Sequence, residues 1–400
     1  MSLLRARAAV SPLRRGLVEA EAALPEVADL VAVERPEEPM HCLRPAAIAA
    51  AARGFVAGFP GDTLYAVKCN PEPAVLRALW DGGVRHFDCA SAGEISLVRA
   101  MFPDAHIAFM HPVKARGAIR AAYHRHGVRD FVLDAESELA KILAETGAPD
   151  DLGLVVRLGL PKGKAVLDLS GKFGAAPGEA VRLLRAARPH AARLGVSFHV
   201  GSQCLDPLAW REAMALAGEV IRAAGVAVEV LDVGGGFPVA YPEIDPPPLG
   251  AFFAEIEAAF EALDLPGMRL WAEPGRALVA GGGSVVVQVQ MRRGDALYVS
   301  DGVYGSLSDA GALGFRFPAR LIRPEGVPSE VLHGFSFYGP TCDSADVMHG
   351  PFLLPADVQE GDWIELGQLG AYGACLRTGF NGFDRARIVE VRDAPMLGNA

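Results

Sequence analysis

The chain has 400 residues, of which 51% are hydrophobic and 22% are charged. This length exceeds what one hydrophobic core of ordinary size serves, so we expect two domains or one large barrel with an additional domain. The formal net charge of −10, with acids and bases interleaved, disfavours nucleic acid as a partner. No apolar run reaches the roughly 18 residues that span a bilayer, and the six cysteines have no CxxC spacing. A membrane protein, a disulfide framework and a zinc site are therefore disfavoured, and a cytoplasmic enzyme without a metal is predicted.

The first 38 residues are too few to form a domain of their own. Their start carries four arginines and no acid within sixteen residues, but no apolar stretch follows that would make a secretory signal. We predict a surface arm over residues 1–38 that contributes to a β-rich domain further along the chain. A transit peptide is the alternative.

Short β-rich runs then alternate with amphipathic runs, a pattern typical of parallel βα units. Helices are predicted at residues 45–59, 73–80, 94–101, 178–190, 207–224 and 249–263. Strands are predicted at residues 64–68, 86–88, 106–110, 130–133, 153–157, 196–199, 228–233 and 269–272. Eight such repeats predict an α/β fold, a closed (β/α)₈ TIM barrel over residues 39–275.

The pattern changes after the eighth repeat. Strands are predicted at residues 284–291, 296–299 and 363–366, glycine and proline punctuate the sequence, and long helical periodicity is absent. We therefore predict a second, C-terminal β-rich domain, a β-barrel or sandwich, over residues 276–400.

Chemically distinctive residues follow every predicted barrel strand, where TIM barrels carry their active sites. They are Lys68, Asp88, His111, Asp134, Arg157, His199, the glycines 234–236, Glu273 and Arg276. Charged side chains are rarely buried without partners, so this distribution indicates a functional site rather than a core.

Each of these residues also has a structural interpretation. Lys68 is either a solvated loop residue or, in its hydrophobic surroundings, a desolvated amine that can form a Schiff base. The three glycines form either a tight turn or a cradle of backbone N–H groups for a phosphate. Arg276 is either a surface charge or a bidentate phosphate ligand, and Ser202 offers a further donor.

A lysine, a phosphate cradle and a buried acid together are what a pyridoxal 5′-phosphate (PLP) site requires. Glu273 is the discriminating residue, because a carboxylate beside the pyridine nitrogen keeps that nitrogen protonated. His199 either stacks on the ring of the cofactor or is a satisfied core histidine.

Eight ordered motifs resemble those of the PLP-dependent group IV decarboxylases, which have the alanine racemase fold and include ornithine decarboxylase. The motifs are YAVKCN (65–70), FDCAS (87–91), HVGS (199–202), DVGGGF (232–237), EPGR (273–276), DGVYG (301–305), GPTCD (339–343) and FNGF (380–383). The resemblance covers most of the chain.

The resemblance implies a role for each matching residue. Lys68 would hold the cofactor covalently, and Cys342 would return a proton to the substrate after CO₂ leaves. The remaining cofactor-binding residues would be Asp88, Arg157, His199, Ser202, Gly235, Gly236, Glu273, Arg276 and Tyr372. Cys342 and Asp343 would reach the active site of the other subunit of a homodimer, where Asp343 would receive the distal ammonium of the substrate. Lys172 and Asp346 would form an ion pair across the dimer.

One segment departs from the family pattern. Ornithine-type members carry a second acid about a dozen positions after the DGVY motif, whereas residues 311–314 are uncharged here and Asp309 is the nearest acid. Asp309 is therefore either the second substrate ligand or a solvated turn residue. We predict decarboxylation of a basic L-amino acid, first ornithine and then lysine. The alternatives are an atypical or non-basic amino acid, a racemase, and a non-catalytic regulatory homologue.

Overall fold

The structure is a computed structural model that describes residues 24–163, 165–166, 171–311 and 313–397. The arginine-rich start of the predicted arm lies outside these residues. The described chain opens with helix α1 (Val27–Glu34) and strand β1 (Met40–Leu43). Residues 40–43 lie within the predicted limits of the barrel, but β1 pairs with strands of the second sheet. The domain limits at residues 38 and 275 stay predictions.

Eight parallel strands close into a barrel, as predicted. They are β2 (Asp62–Ala66), β3 (His86–Cys89), β4 (His106–Phe109), β5 (Asp130–Leu133), β6 (Gly153–Arg157), β7 (Arg193–Ser197), β8 (Val230–Asp232) and β9 (Arg269–Ala272). Two strands end two residues earlier than predicted: β2 stops at Ala66, before Lys68, and β7 stops at Ser197, before His199. Both functional candidates therefore lie on loops at the mouth of the barrel, not within strands.

Helices surround the barrel and follow the predicted periodicity. They are α2 (Pro45–Gly58), α3 (Pro73–Asp81), α4 (Ala92–Met101), α5 (Arg116–His124), α6 (Glu136–Thr146), α7 (Pro177–Ala187), α8 (Leu208–Ala224), α9 (Leu249–Ala262) and the short α10 (Arg276–Val279). Proline occupies the first turn of α2, α3 and α7, where its missing N–H costs nothing. Gly147 and Gly225 end α6 and α8 in the left-handed conformation. No helix of the described part is long and apolar enough to cross a bilayer.

The second domain is a mixed sheet, which confirms the predicted β-rich unit. Its strands are β10 (Gly283–Arg293), β11 (Ala296–Val299), β12 (Ala319–Ile322), β13 (Leu332–Tyr338), β14 (Val347–Pro355), β15 (Trp363–Leu366) and β16 (Arg387–Glu390). The spatial order is β12-β15-β10-β11-β13-β14, and β1 joins through antiparallel pairing with β10 and parallel pairing with β16. Strands β12, β13, β14 and β16 were not among those predicted.

The second domain lies directly against the turn that carries Lys68. The N–H of Tyr372 donates to the carbonyl of Cys69 at 3.0 Å, and the amide of Asn70 donates to the carbonyl of Gly370 at 2.8 Å. The thiol of Cys375 also donates to the Cys69 carbonyl, at 3.3 Å. These contacts bring Tyr372 from the second domain to the mouth of the barrel.

A cluster of charged side chains lies at the opposite end of the barrel, where the strands begin. Asp130 begins β5 with 1% of its side chain exposed, accepts a hydrogen bond from Arg193 and lies 2.6 Å from Nε2 of His106. Burial alone would raise the pKa of Asp130, but His106 and Arg193 outweigh it, and its pKa is lowered.

The Asp130→Asn substitution is expected to lower the free energy of unfolding by roughly 2 kcal/mol at neutral pH, because it leaves Arg193 without its counter-charge. Since the pKa is depressed in the folded state, this stabilisation is present above the ordinary aspartate pKa of 3.8 and is lost as the pH falls through the folded value. Urea unfolding of both proteins at pH 7 and pH 3 measures it. A difference that does not shrink in acid would contradict the electrostatic origin.

Candidate active site at the mouth of the barrel

Lys68 lies in a short 3₁₀ turn, Val67–Cys69, directly after β2. Its Nζ donates to Oδ2 of Asp88 at 3.0 Å, and 46% of its side chain is exposed toward the open mouth. Asp88, the third residue of β3, is buried. Burial acts to lower the pKa of Lys68, but the carboxylates of Asp88 and Glu273 outweigh it and raise the pKa. The structure therefore brings the predicted lysine and two predicted acids together.

Glu273 follows β9 and is buried beside Asp232, the last residue of β8. Burial, then the charges of Asp232 and Asp88, raise the pKa of Glu273 well above its usual range. One oxygen of each of these three carboxylates is buried without a hydrogen-bond partner. Such unpartnered buried oxygens are expected of a site built for a group that brings an N–H or O–H.

Asp232 was not proposed as a site residue. It is fully buried, and burial raises its pKa to about 6. The sequence could have indicated Asp232 as a site residue, because an acid in an otherwise apolar strand is unusual.

The glycines at 234–236 allow three segments to approach closely. Gly234 and Gly236 have φ values of 67° and 105°, which disfavour any side chain. A Cβ on Gly235 would lie 2.5 Å from the carbonyl oxygen of Glu273 and 3.2 Å from Nε2 of His199. A Cβ on Gly236 would lie 2.3 Å from the carbonyl oxygen of Gly201. The segment is a tight turn and also forms part of the wall of the site.

His199 lies half-buried on the loop after β7, with Ser202 three residues further along the same loop. The Nδ1 atom of His199 accepts a hydrogen bond from the N–H of Gly201 at 3.0 Å. Burial, then the charges of Arg157 and Lys68, hold the pKa of His199 well below its usual value. A neutral, oriented imidazole is suited to stacking on a flat ring. Arg157, the last residue of β6, is half-buried nearby.

Arg276 is buried among three aromatic rings, with its guanidinium carbon 5.0 Å from the ring centre of Tyr372 and 5.2 Å from that of Phe315. Its Nη1 donates to the hydroxyl of Tyr241 at 2.5 Å. Its Nε is buried without a partner. An arginine with a spare buried donor is suited to binding an anion.

Asp309 lies beside Arg276 and not beside Asp343. It is buried, and its Oδ2 accepts a hydrogen bond from Nη2 of Arg276 at 3.3 Å. Asp309 is therefore not the solvated turn residue of the alternative interpretation. Its pairing also argues against a role as second ligand of a substrate amine, which stays an untested prediction. Ala312, within the uncharged stretch, lies outside the described residues.

Two further residues at strand ends serve the loops and not the site. Oδ2 of Asp134 accepts a hydrogen bond from the N–H of Gly174 at 2.9 Å. The ring of His111 packs edge-on against Phe173, with centroids 5.2 Å apart. Both side chains hold the segment that follows β6.

Cys342 and Asp343 lie on the loop between β13 and β14, and Tyr304, on the segment between β11 and β12, contacts this loop. The hydroxyl of Tyr304 donates to Oδ2 of Asp343, and the N–H of Ala345 donates to Oδ1 at 2.9 Å. The Ala345 N–H and then the Tyr304 hydroxyl lower the pKa of Asp343, so its carboxylate is ionised. In the described chain, no hydrogen bond or ion pair joins this loop to Lys68.

Asp346 anchors the same loop within its own chain. It is 2% exposed and accepts hydrogen bonds from the N–H of Val303 at 2.8 Å and from the hydroxyl of Thr341 at 2.7 Å. Lys172 is exposed, with its Nζ 5.0 Å from the ring centre of Phe173. Within one chain Asp346 is therefore buried and hydrogen-bonded, and the ion pair expected between Asp346 and Lys172 of another subunit stays a prediction.

Residues 46–280 match the family model for the pyridoxal-binding domain of pyridoxal-dependent decarboxylases. The chain belongs to this family. It is 33% identical over 349 residues to the lysine/ornithine decarboxylase of Selenomonas ruminantium, covering 83% of this chain and 84% of the relative.

Solved structures of two other proteins resemble the chain over almost its whole length. The arginine decarboxylase of Paramecium bursaria Chlorella virus, bound to agmatine, has a TM-score of 0.81 and 27% identity over 91% of this chain and 99% of that one. The lysine/ornithine decarboxylase of Vibrio vulnificus, complexed with putrescine, has a TM-score of 0.78 and 32% identity over 96% and 99%.

The protein is therefore a PLP-dependent carboxy-lyase that decarboxylates a basic amino acid. Its residues fit the cofactor independently of these comparisons. Glu273 offers a buried oxygen without a donor, and Arg276 offers a buried N–H without an acceptor, matching the pyridine nitrogen and the phosphate.

Proposed function

We propose that this decarboxylase converts L-ornithine to putrescine, with L-lysine as its second substrate, in active sites shared between two subunits of a homodimer. The observation that carries the substrate class is the ionised carboxylate of Asp343 beside Cys342, held by Tyr304 and Ala345. A fixed carboxylate next to a proton donor is suited to a substrate with a distal ammonium. A cytoplasmic location is part of the proposal, supported by six unpaired thiols.

On this proposal, the residues around Lys68 bind and orient the cofactor. Lys68 holds it through Nζ, and Asp88 keeps the amine in place through the 3.0 Å hydrogen bond. Glu273 accepts a hydrogen bond from the pyridine nitrogen. His199 supports one face of the ring, and Arg157 adds positive charge beside it.

The phosphate end is assigned to a second group of residues. It comprises Ser202, Gly235, Gly236, Arg276 and Tyr372. Arg276 supports this assignment best, since its unpartnered Nε and its aromatic surroundings fix an unused donor at the junction of the two domains. When bound, PLP supplies an electron sink for the electron pair released as CO₂ departs.

Cys342 is assigned the return of a proton to the α-carbon of the substrate. Its thiol is exposed on the isolated chain, and Phe380 and Phe383 are exposed nearby at 42% and 45%. An exposed thiol, an ionised acid and exposed aromatic rings on one surface are typical of an interface that completes a site. This surface supports a dimer in which each subunit supplies Cys342 and Asp343 to the other.

Subunit exchange tests the shared site. Mixing inactive Lys68→Ala and Cys342→Ala homodimers in equal amounts is expected to restore about a quarter of wild-type activity, because half the dimers are hybrids with one intact site of two. Activity is measured after exchange has been verified with subunits of different mass. No recovery despite complete exchange would place both residues in one site of a single chain.

A CO₂-release screen tests the substrate. L-ornithine is expected to give the highest kcat/KM, followed by L-lysine, with arginine, diaminopimelate, D-amino acids and neutral amino acids below them. A neutral amino acid as the best substrate would remove the distal ammonium from the proposal while leaving decarboxylation intact.

The Asp343→Asn substitution is expected to raise KM for ornithine at least tenfold, about 1.4 kcal/mol if the chemical step is unchanged. The loss exceeds that of an exposed ion pair because the closed dimer partly desolvates the carboxylate. Asp309→Asn is the comparison: because Asp309 pairs with Arg276, it is assayed with excess PLP, and KM for ornithine is then expected to stay within about twofold. Equal penalties in the two variants would restore Asp309 as a substrate ligand.

A further inference from the structure

The asparagine of the FNGF motif, Asn381, contacts the thiol of Cys342, the proposed proton donor. We propose that Asn381 is a positioning residue for Cys342: its side-chain oxygen holds Sγ in one place, from which the S–H turns about the Cβ–Sγ bond to protonate the substrate. This inference rests on the role of Cys342 in the proposed function.

The contact is unusual because one oxygen accepts hydrogen bonds from both the backbone N–H and the thiol of the same residue. Oδ1 of Asn381 accepts a hydrogen bond from the N–H of Cys342 at 3.2 Å and another from Sγ at 3.2 Å. A thiol is a weak donor, and without a partner the Sγ atom of an exposed cysteine would change rotamer freely about the Cα–Cβ bond. Two bonds to one oxygen fix the side chain relative to its own backbone and so restrict that rotation.

The backbone conformation of Asn381 explains why asparagine occupies this position. Its φ and ψ are 53° and 9°, in the left-handed region, within the 3₁₀ turn Phe380–Gly382. Asparagine and aspartate enter this region more readily than other residues with side chains. The residue types that this turn favours therefore also carry a side-chain oxygen that can accept the two hydrogen bonds from Cys342.

The segment that leads into this turn is hydrogen-bonded to Tyr304, whose hydroxyl donates to Asp343. The N–H of Thr378 donates to the carbonyl of Tyr304 at 2.9 Å, and its hydroxyl donates to the same oxygen at 3.1 Å. The rings of Tyr304 and Phe380 lie 4.8 Å apart. Asn381 and Tyr304 therefore hold Cys342 and Asp343, respectively, from one connected surface.

This arrangement sets a direction for the proton. Decarboxylation leaves an electron pair on the α-carbon, a new C–H bond forms there with the proton of Cys342, and the thiol recovers its proton from solvent. A thiol fixed on one side delivers its proton to one face of that carbon. In ²H₂O, the product amine should then carry one deuterium with a single configuration.

Two substitutions compatible with the left-handed backbone test the inference. Asn381→Gly removes the acceptor without straining the turn, whereas Asn381→Asp retains an oxygen at the same position. For Asn381→Gly we expect kcat to fall by about 100-fold, KM for ornithine to stay within about twofold, and the deuterated product to become a mixture of configurations. Asn381→Asp should restore one configuration and most of kcat.

The outcomes separate this inference from the proposed function. A single configuration and unchanged kcat in Asn381→Gly would overturn the inference, as would an Asn381→Asp variant no better than the glycine variant. Cys342→Ala run in parallel tests the role of Cys342 itself. If it keeps one configuration and full kcat, Cys342 is not the proton donor and the proposed function fails at this residue. Thermal unfolding of each variant identifies any loss of folding.

Discussion

The Lys68→Ala variant is expected to be colourless and to lose at least about 10³-fold in kcat, because only a lysine amine can form the covalent bond to the cofactor. The structure gives this lysine a 3.0 Å contact with Asp88 and an open path to solvent through the barrel mouth. Borohydride reduction, followed by mass spectrometry of the labelled peptide, should find the cofactor on the 65–70 segment of the wild type and nowhere in the variant.

Lys172→Ala is the matched control, since Lys172 is exposed and its Nζ lies over the ring of Phe173. It should retain both colour and label. A Lys68→Ala protein that is still labelled after reduction would move the covalent bond to another amine. Lys114 would then be examined first, because it is buried and burial lowers its pKa to about 8.

The Glu273→Gln variant is expected to keep the cofactor on Lys68 but to lose about 10²–10³-fold in kcat. Its amide retains the shape of the side chain and can accept a hydrogen bond, but it carries no negative charge to keep a proton on the pyridine nitrogen. Steady-state kinetics with ornithine, combined with the borohydride assay, separates the loss of chemistry from the loss of binding.

Glu273→Asp provides the comparison, because it keeps the charge and shortens the reach by one methylene. Its kcat should lie between those of the wild type and Glu273→Gln. A Gln variant with nearly full activity would mean that the negative charge of Glu273 is not what keeps the pyridine nitrogen protonated.

Local patterns predicted most of the barrel and the residues at its mouth. The alternation of strand-like and helix-like segments predicted eight repeats. Because TIM barrels carry their active sites at the C-terminal ends of the strands, the residues Lys68, Asp88 and Glu273 at those ends were selected. The ends of the strands were predicted less accurately, since Lys68 and His199 lie two residues beyond the ends of the strands to which they were assigned. This difference has no effect on the site, because a short loop delivers the side chain to the same mouth.

Contacts between distant segments could not be predicted in this way. Arg276 contacts Asp309, which lies 33 residues later in the chain, and no periodicity links these positions. Asp346 and Asn381 act through hydrogen bonds to backbone and side-chain atoms of the loop that carries Cys342, which depend on tertiary geometry. In the second domain, β12 and β16 have only four residues each, and glycine or proline interrupts the interior of β13 and β14, so these four strands were missed.

Strand β1 has a consequence for the order in which the chain can assemble. Its parallel neighbour β16 begins 347 positions later, so during synthesis β1 emerges long before its partner exists. The N–H of Arg392 donates to the carbonyl of Pro25 at 3.1 Å, which places the two ends of the described chain side by side. A circularly permuted gene that links these ends and opens a barrel loop would encode β16 and β1 consecutively. We expect such a protein to complete its sheet sooner, since the loop that must close between the two strands is far shorter.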